Sequence, residues 1–168
     1  MSDRIDDYLA QWGRVRPDLD VSPMAVVGRL SRAHEILGRA VAQNFRTHGL
    51  QRGEFDTLAT LRRSGEPFTL TPGELARSSM VTGAAMTNRL QRLEDRGLLE
   101  RTTDPANRRS VRVRLTPAGL SLVDEAVVSH MDTERELLDA GLSSKEQAQL
   151  AALLSRFLER SGDTAADS

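Results

Sequence analysis

Thr71-Pro72-Gly73-Glu74, then Thr82-Gly83-Ala84-Ala85-Met86-Thr87-Asn88-Arg89-Leu90, then Asp104-Pro105-Ala106-Asn107-Arg108-Arg109-Ser110-Val111-Arg112-Val113-Arg114-Leu115-Thr116-Pro117-Ala118-Gly119 follow one another within fifty residues. Their order decides the fold. The first run is a capping box with proline at the first helical position, so a short helix is expected from Pro72 to about Ser79. Met80-Val81 make the turn, and Thr82 caps a second helix that runs to about Arg96 and is closed by Gly97. Leu98–Thr102 and Val111–Leu115 have the composition of strands. In the second, Val111, Val113 and Leu115 alternate with Arg112 and Arg114, giving one buried face and one wet, positive face. Between the strands lies a basic loop. A winged reader of duplex DNA needs these parts in this order: a helix for the major groove and a basic hairpin beside it for the backbone or the minor groove.

The flanks on either side are helical. Ile5, Tyr8, Leu9 and Trp12 fall at helical spacing, and Pro17-Asp18-Leu19-Asp20 breaks that helix. Ser22-Pro23 opens a longer one to about Thr47, with Val27, Leu30, His34, Leu37, Val41 and Phe45 on one stripe. Another follows from Arg52 to Arg63. Thr116-Pro117 begins a long helix to about Asp139, and Ser143-Ser144-Lys145-Glu146 caps the last. The expected fold class is mainly α with a small β wing: a winged helix-turn-helix DNA-binding domain (49–115) plus a helical dimerisation domain. The latter is drawn from N-terminal helices (1–48) and C-terminal helices (116–160), with a disordered tail at 161–168. The terminal helices are too apolar to leave exposed, so a symmetric homodimer is expected, which also suits a palindromic DNA site.

Composition narrows the function. The 168 residues contain no cysteine, which excludes disulfides and thiolate zinc sites, and the three histidines lack metal-ligand spacing. No metal, no cofactor and no catalytic Ser/His/Asp set is expected. No apolar run approaches a membrane span, and the acidic start lacks a signal peptide's apolar core, which points to the cytoplasm. The net charge of −1 hides an asymmetry. Residues 69–115 carry nine arginines against five acids, net +4, whereas residues 116–168 carry four basic and ten acidic groups, net −6. A basic segment against an acidic tail fits a local phosphate-binding face.

With Met86, Leu90 and Leu93 as the buried stripe of the second helix, Ala84, Asn88, Gln91 and Asp95 face the other way, with Thr87 and Arg92 alongside. Asn and Gln bond adenine, while Thr82 and Gly83 bring the helix N-terminus to a phosphate. The bland alternative is a solvated face with no ligand. In the loop, Asp104 is placed to pair with Arg108 and stiffen the turn, leaving Arg109 to reach phosphate or a narrow minor groove.

These residues, with Leu93-Glu94-Asp95-Arg96-Gly97-Leu98-Leu99-Glu100-Arg101, resemble the MarR family of winged helix-turn-helix transcription regulators over about residues 22–160. The family pattern often has an acidic residue where Asn107 stands. The resemblance implies a homodimer that binds a pseudo-palindromic operator on double-stranded DNA and is loosened by a small anionic aromatic effector. The N-terminal helix bearing Trp12 resembles the urate-responsive, PecS-like subgroup, which implies an effector site for urate or another purine at Trp12, Asp56, Arg89 and Arg101. On the helical wheel Arg89 falls beside the buried stripe, so it must find an anion or a carboxylate. Two readings stay open at this point: a bound ligand, or an internal Asp56–Arg89 ion pair with Trp12 as core. A regulator of another phenolic or aromatic acid, and an architectural DNA binder without effector, are the alternatives for the whole chain.

Overall fold

The computed structural model describes residues 2–79, 82–104 and 107–163, without the side chains of Arg108 and Arg109. The Met80-Val81 turn and the expected disordered tail beyond residue 163 lie outside the described residues. The elements are α1 (Arg4–Val15), α2 (Ser22–Thr47), α3 (Arg52–Arg63), β1 (Thr69–Leu70), α4 (Pro72–Ser78), α5 (Gly83–Asp95), β2 (Leu99–Asp104), β3 (Asn107–Leu115), α6 (Pro117–Asp139) and α7 (Ser144–Arg160). The chain divides into two compact units, Met1–Ala40 and Val41–Ser168.

In the first unit, Asp3 caps α1 by accepting from the backbone N–H groups of Ile5 and Asp6. Arg29 of α2 donates to Asp3 and Asp6 at 2.8 and 2.6 Å, and Ile5 fills the notch left by Gly28. At the start of α2 it is Asp20, not Ser22, whose carboxylate accepts the first free N–H, that of Ser22 itself.

The second unit holds the core. The last turns of α2 contribute Val41 and Phe45, and α3 contributes Phe55, Leu58 and Leu61. Leu75 of α4, Met86, Leu90 and Leu93 of α5, Val113 and Leu115 of β3, and Val123 of α6 complete it. Each such side chain contributes roughly 1.5–3 kcal/mol on burial. Phe45 stacks on Phe55 at 4.1 Å between centroids, and His130 packs against both rings. The predicted capping residues do their work: Thr71 with Glu74, Thr82 on Ala85, Thr116 on Gly119 and Ser143 with Glu146. Gly97 ends α5 at φ 68°.

The three strands form an antiparallel sheet in the order β1-β3-β2. Two features differ from expectation. Thr69–Leu70 is a third strand, paired with Val113 and Arg114. The wing is also longer than its apolar alternation, because β2 runs to Asp104 and β3 starts at Asn107, with a register irregularity at Thr103/Asp104. Most of the expected basic loop is therefore hairpin ladder, held by backbone bonds that do not depend on side-chain hydropathy.

The stripe expected on α2 is buried only at its end. Val27 is 61 % exposed and Leu30 38 %, and no residue of α7 is buried, with Leu153 and Phe157 open to solvent. Among the described residues no helix is long and apolar enough to cross a membrane, and no cluster of acids and histidines is arranged to hold a metal.

Candidate nucleic-acid interface and anion site

The outward face of α5 carries the residues that the sequence placed there. Thr82, Gly83, Ala84, Thr87, Asn88, Gln91 and Arg92 are all exposed. They differ in freedom. Asn88 makes no side-chain hydrogen bond among the described residues. Thr87 turns its hydroxyl back to the carbonyl of Gly83 at 2.9 Å. Gln91 is engaged at both ends, donating to Asp95 at 2.7 Å and accepting from Arg101 at 2.5 Å. Its amide must leave those partners before it can read a base edge.

Arg92 is tied to a residue that sequence reasoning missed. Glu54 on α3 has a nearly buried side chain, 5 % exposed, and accepts from Arg92 Nε and Arg96 at 3.3 Å each. The same carboxylate accepts the backbone N–H of Gln51 at 3.0 Å. One acid thus begins α3 and ties it to the reading helix. The only signal in the sequence was its place three residues after Gln51. Replacing Glu54 with Gln keeps the shape and removes the charge. Because both arginines are one-third to one-half exposed, the expected loss is only about 1–2 kcal/mol in a urea titration. An unchanged midpoint would show the clamp to be idle.

In the wing, Asp104 accepts from Arg112 at 2.8 Å across the hairpin. The expected pairing of Asp104 with Arg108, and the reach of Arg109, lie outside the described side chains.

The four expected ligand residues are placed as follows. Arg89 leaves α5 toward α3, is partly buried, and donates to Thr57 Oγ1 at 3.3 Å. Its guanidinium lies on Gly53 so closely that a Cβ there would stand 2.5 Å from one of its nitrogens, so only glycine leaves it this seat. Asp56 sits one turn along α3. The residue is exposed, yet desolvation of its carboxyl against the protein pushes its pKa up, opposed by the charges of Arg52, Arg89 and Arg63 and by His130. Among the described residues no cation lies within ion-pair distance of it, so Asp56 and Arg89 are neighbours without being paired. Arg101 turns elsewhere. It makes a close ion pair with Glu94 and bonds Gln91, which lowers the Glu94 pKa and raises its own. Gln91 and Glu94 lie about 140–160° around α5 from Arg89. The two arginines therefore flank the reading helix on opposite sides. Gly97 sends the chain back on the wing side, where Glu94 is the nearest acid. Trp12 belongs to the first unit and is 41 % exposed, so it is not core in this chain.

Comparison with known proteins agrees with this architecture. A model of the MarR family matches residues 48–110. The transcriptional regulator PecS of Dickeya dadantii is 41 % identical over 152 residues, covering 90 % of this chain and 91 % of that protein. Among solved structures, Bordetella bronchiseptica BpsR, described as regulated in its DNA binding by 6-hydroxynicotinic acid, superposes with a TM-score of 0.66 at 28 % identity, covering 79 % of this chain and 91 % of that one. Streptomyces coelicolor Sco3205, solved in complex with DNA, shares the fold with a TM-score of 0.73 at 21 % identity, covering 84 % of this chain and 88 % of that one.

Proposed function

Because this chain belongs to the MarR family of DNA-binding transcriptional regulators, we propose that it is a homodimeric repressor released from a pseudo-palindromic operator by a small anionic effector such as urate or another purine. The supporting observation is the seat of Arg89: a partly buried cation rooted in the reading helix, with one long hydrogen bond and an unpaired carboxylate nearby. A planar anion bearing N–H groups satisfies both, taking charge-assisted bonds from Arg89 and donating to Asp56. The resemblance to the urate-responsive subgroup adds Trp12 and Arg101 to the ligand set. Arg101, paired with Glu94 on the opposite flank of α5, does not reach a ligand seated at Arg89 in this arrangement. Asn88, Ala84 and the neighbouring residues of α5 enter the major groove, and Arg108 and Arg109 grip beside it.

Anion and operator compete because Arg89 and the reading face share one helix. Ligand that prefers the spacing of the heads unable to bind DNA shifts the population toward it. A swing from 1:99 to 99:1 needs about 5.5 kcal/mol of differential binding, which two sites per dimer share. The exposed apolar rows of α2 and α7 support the dimer. The BpsR structure favours a second reading, in which the effector is a monocyclic aromatic acid.

The test is retention of the promoter fragment beside the protein's own gene, followed by titration with urate, with the emission of Trp12, the sole tryptophan, as reporter. Retention with release supports the proposal, and retention that no ligand relieves leaves an architectural binder. Replacing Arg109 with Ala is expected to weaken binding to all duplexes alike and to flatten the salt dependence by about one unit. An unchanged slope would remove Arg109 from the phosphate contacts.

A further inference from the structure

Arg89, Arg92 and Arg96 follow one another at helical spacing on the flank of α5 that meets α3. Each has a different seat. Arg89 lies on Gly53. Arg96 donates from Nη1 to Glu54 at 3.3 Å, and its Nη2 lies against Gly49, 3.6 Å from where a Cβ would stand. Arg92 donates to the same carboxylate through Nε, also at 3.3 Å. Its two terminal nitrogens make no hydrogen bond among the described residues, and its side chain is 50 % exposed. Glu54 is the fixed partner. It is nearly buried, and its Oε2 also accepts the backbone N–H of Gln51. The inner edge of the Arg92 guanidinium is therefore anchored, while the outer edge is left open. Arg92 stands one turn beyond Asn88 and only about 40° around the helix from it. Helical side chains lean toward the N-terminus, so the open edge borders the face that Asn88 presents.

We infer that Glu54 is a positioning residue for DNA recognition: it holds Arg92 by Nε so that the terminal edge of the guanidinium meets one backbone phosphate at a set distance from the bases beside Asn88. The inference rests on α5 as the reading helix and is independent of any effector. A phosphate contact carries no sequence information of its own, but it fixes register and orientation on the duplex. Delivered from a fixed point, it is made in full only where the backbone runs at the right distance from the base edges that α5 reads. An arginine released from Glu54 follows whichever phosphate comes within reach. The carboxylate also repels every duplex to the same degree, because the phosphate attraction it opposes is blind to sequence. Both effects raise the preference for the operator over other DNA. Lysine cannot take the place of Arg92, since a point charge serves the carboxylate or the phosphate but has no second edge for the other.

The quantity that tests this is the ratio of affinities for the promoter fragment and for a random duplex of the same length, at one salt concentration. Molecules lost to unfolding drop out of that ratio, so a merely structural role does not move it. Glu54→Gln adds one positive charge per protomer, and charge alone would tighten both duplexes equally. The expected result is tighter binding to the random duplex with a ratio about tenfold lower, the size of one charge-assisted hydrogen bond. Arg92→Lys conserves the charge and lowers the ratio in the same way. Arg92→Ala removes the contact and flattens the salt dependence on the promoter fragment by about two units per dimer. In that background Glu54→Gln leaves the ratio where it is, because the two residues act as one unit. A ratio that neither Glu54→Gln nor Arg92→Lys alters overturns the positioning role while DNA reading by α5 still stands. A ratio that Glu54→Gln lowers equally in the Arg92→Ala background takes the effect away from Arg92 and overturns it as well. A parent protein that holds both duplexes alike removes operator reading together with the inference.

Discussion

Gly119→Ala is expected to destabilise the protein by about 3 kcal/mol, the upper end of what overpacking usually costs. Gly119 lies in the first turn of α6, where its N–H donates to Thr116 Oγ1 at 3.0 Å while Thr116 donates to the carbonyl of Gly97 at 2.7 Å. The backbone N–H of Thr116 also donates to the carbonyl of Leu98 at 3.2 Å. These bonds press the start of α6 onto the turn that joins α5 to β2. A Cβ on Gly119 would fall onto the carbonyl oxygen of Leu98, 2.9 Å from its carbon and 3.3 Å from a methyl of Leu115. Neither backbone can yield without breaking the Thr116 bonds. Helix propensity pulls the other way, since alanine is favoured over glycine by about 1 kcal/mol in a helix. The sign of the result therefore decides between propensity and packing. A midpoint lowered by about 6–12 °C is expected for a chain of this size. Gly13→Ala in α1, where nothing lies within 4 Å of the added methyl, is expected to be neutral or stabilising. A Gly119→Ala protein as stable as its parent would show that α6 does not bear on the turn as described.

The second large effect is on regulation. Arg89→Ala is expected to abolish release by ligand. The quantity to measure is the ratio of operator affinities without and with urate, so that any change in basal affinity cancels. Hydrogen bonds to charged groups contribute about 1.5–3 kcal/mol each, and a bidentate pair lost from one site lowers ligand affinity at least a hundredfold. The ratio then falls to one at ligand concentrations that release the parent. Gly53→Ala approaches the same end by another route, because its methyl evicts the guanidinium from its seat without changing its charge. A ratio that survives both changes would take the effector away from Arg89.

Several parts of this architecture were legible because they follow from neighbours in the chain. The α5 wheel placed Asn88 and Arg92 outward and Leu90 inward, and the capping boxes located the starts of α4 and α7. The wing was legible from the alternation of Val113 with Arg112 and Arg114. Other parts were hidden for equally physical reasons. Two residues, Thr69 and Leu70, are too few to show a period, and only β3 makes them a strand. Arg101 was grouped with Arg89 as two arms for one ligand, yet the wing-side return of the chain delivers it to Glu94 on the far flank of α5. Glu54 was not singled out by any local pattern, yet it caps the start of α3 and holds Arg92 and Arg96.

Periodicity, caps and turn residues by themselves determined the identity of the helices, the hairpin and the face of α5 that meets solvent, because each depends on residues within a few positions of one another. Which charge answers which was settled only by the packing of α3, α4, α5 and β2. Arg89 rests on Gly53, Arg101 on Glu94, and Glu54 on Arg92 and Arg96. Such choices depend on which side chains fall within about 3 Å after long-range folding, and no local pattern encodes that distance.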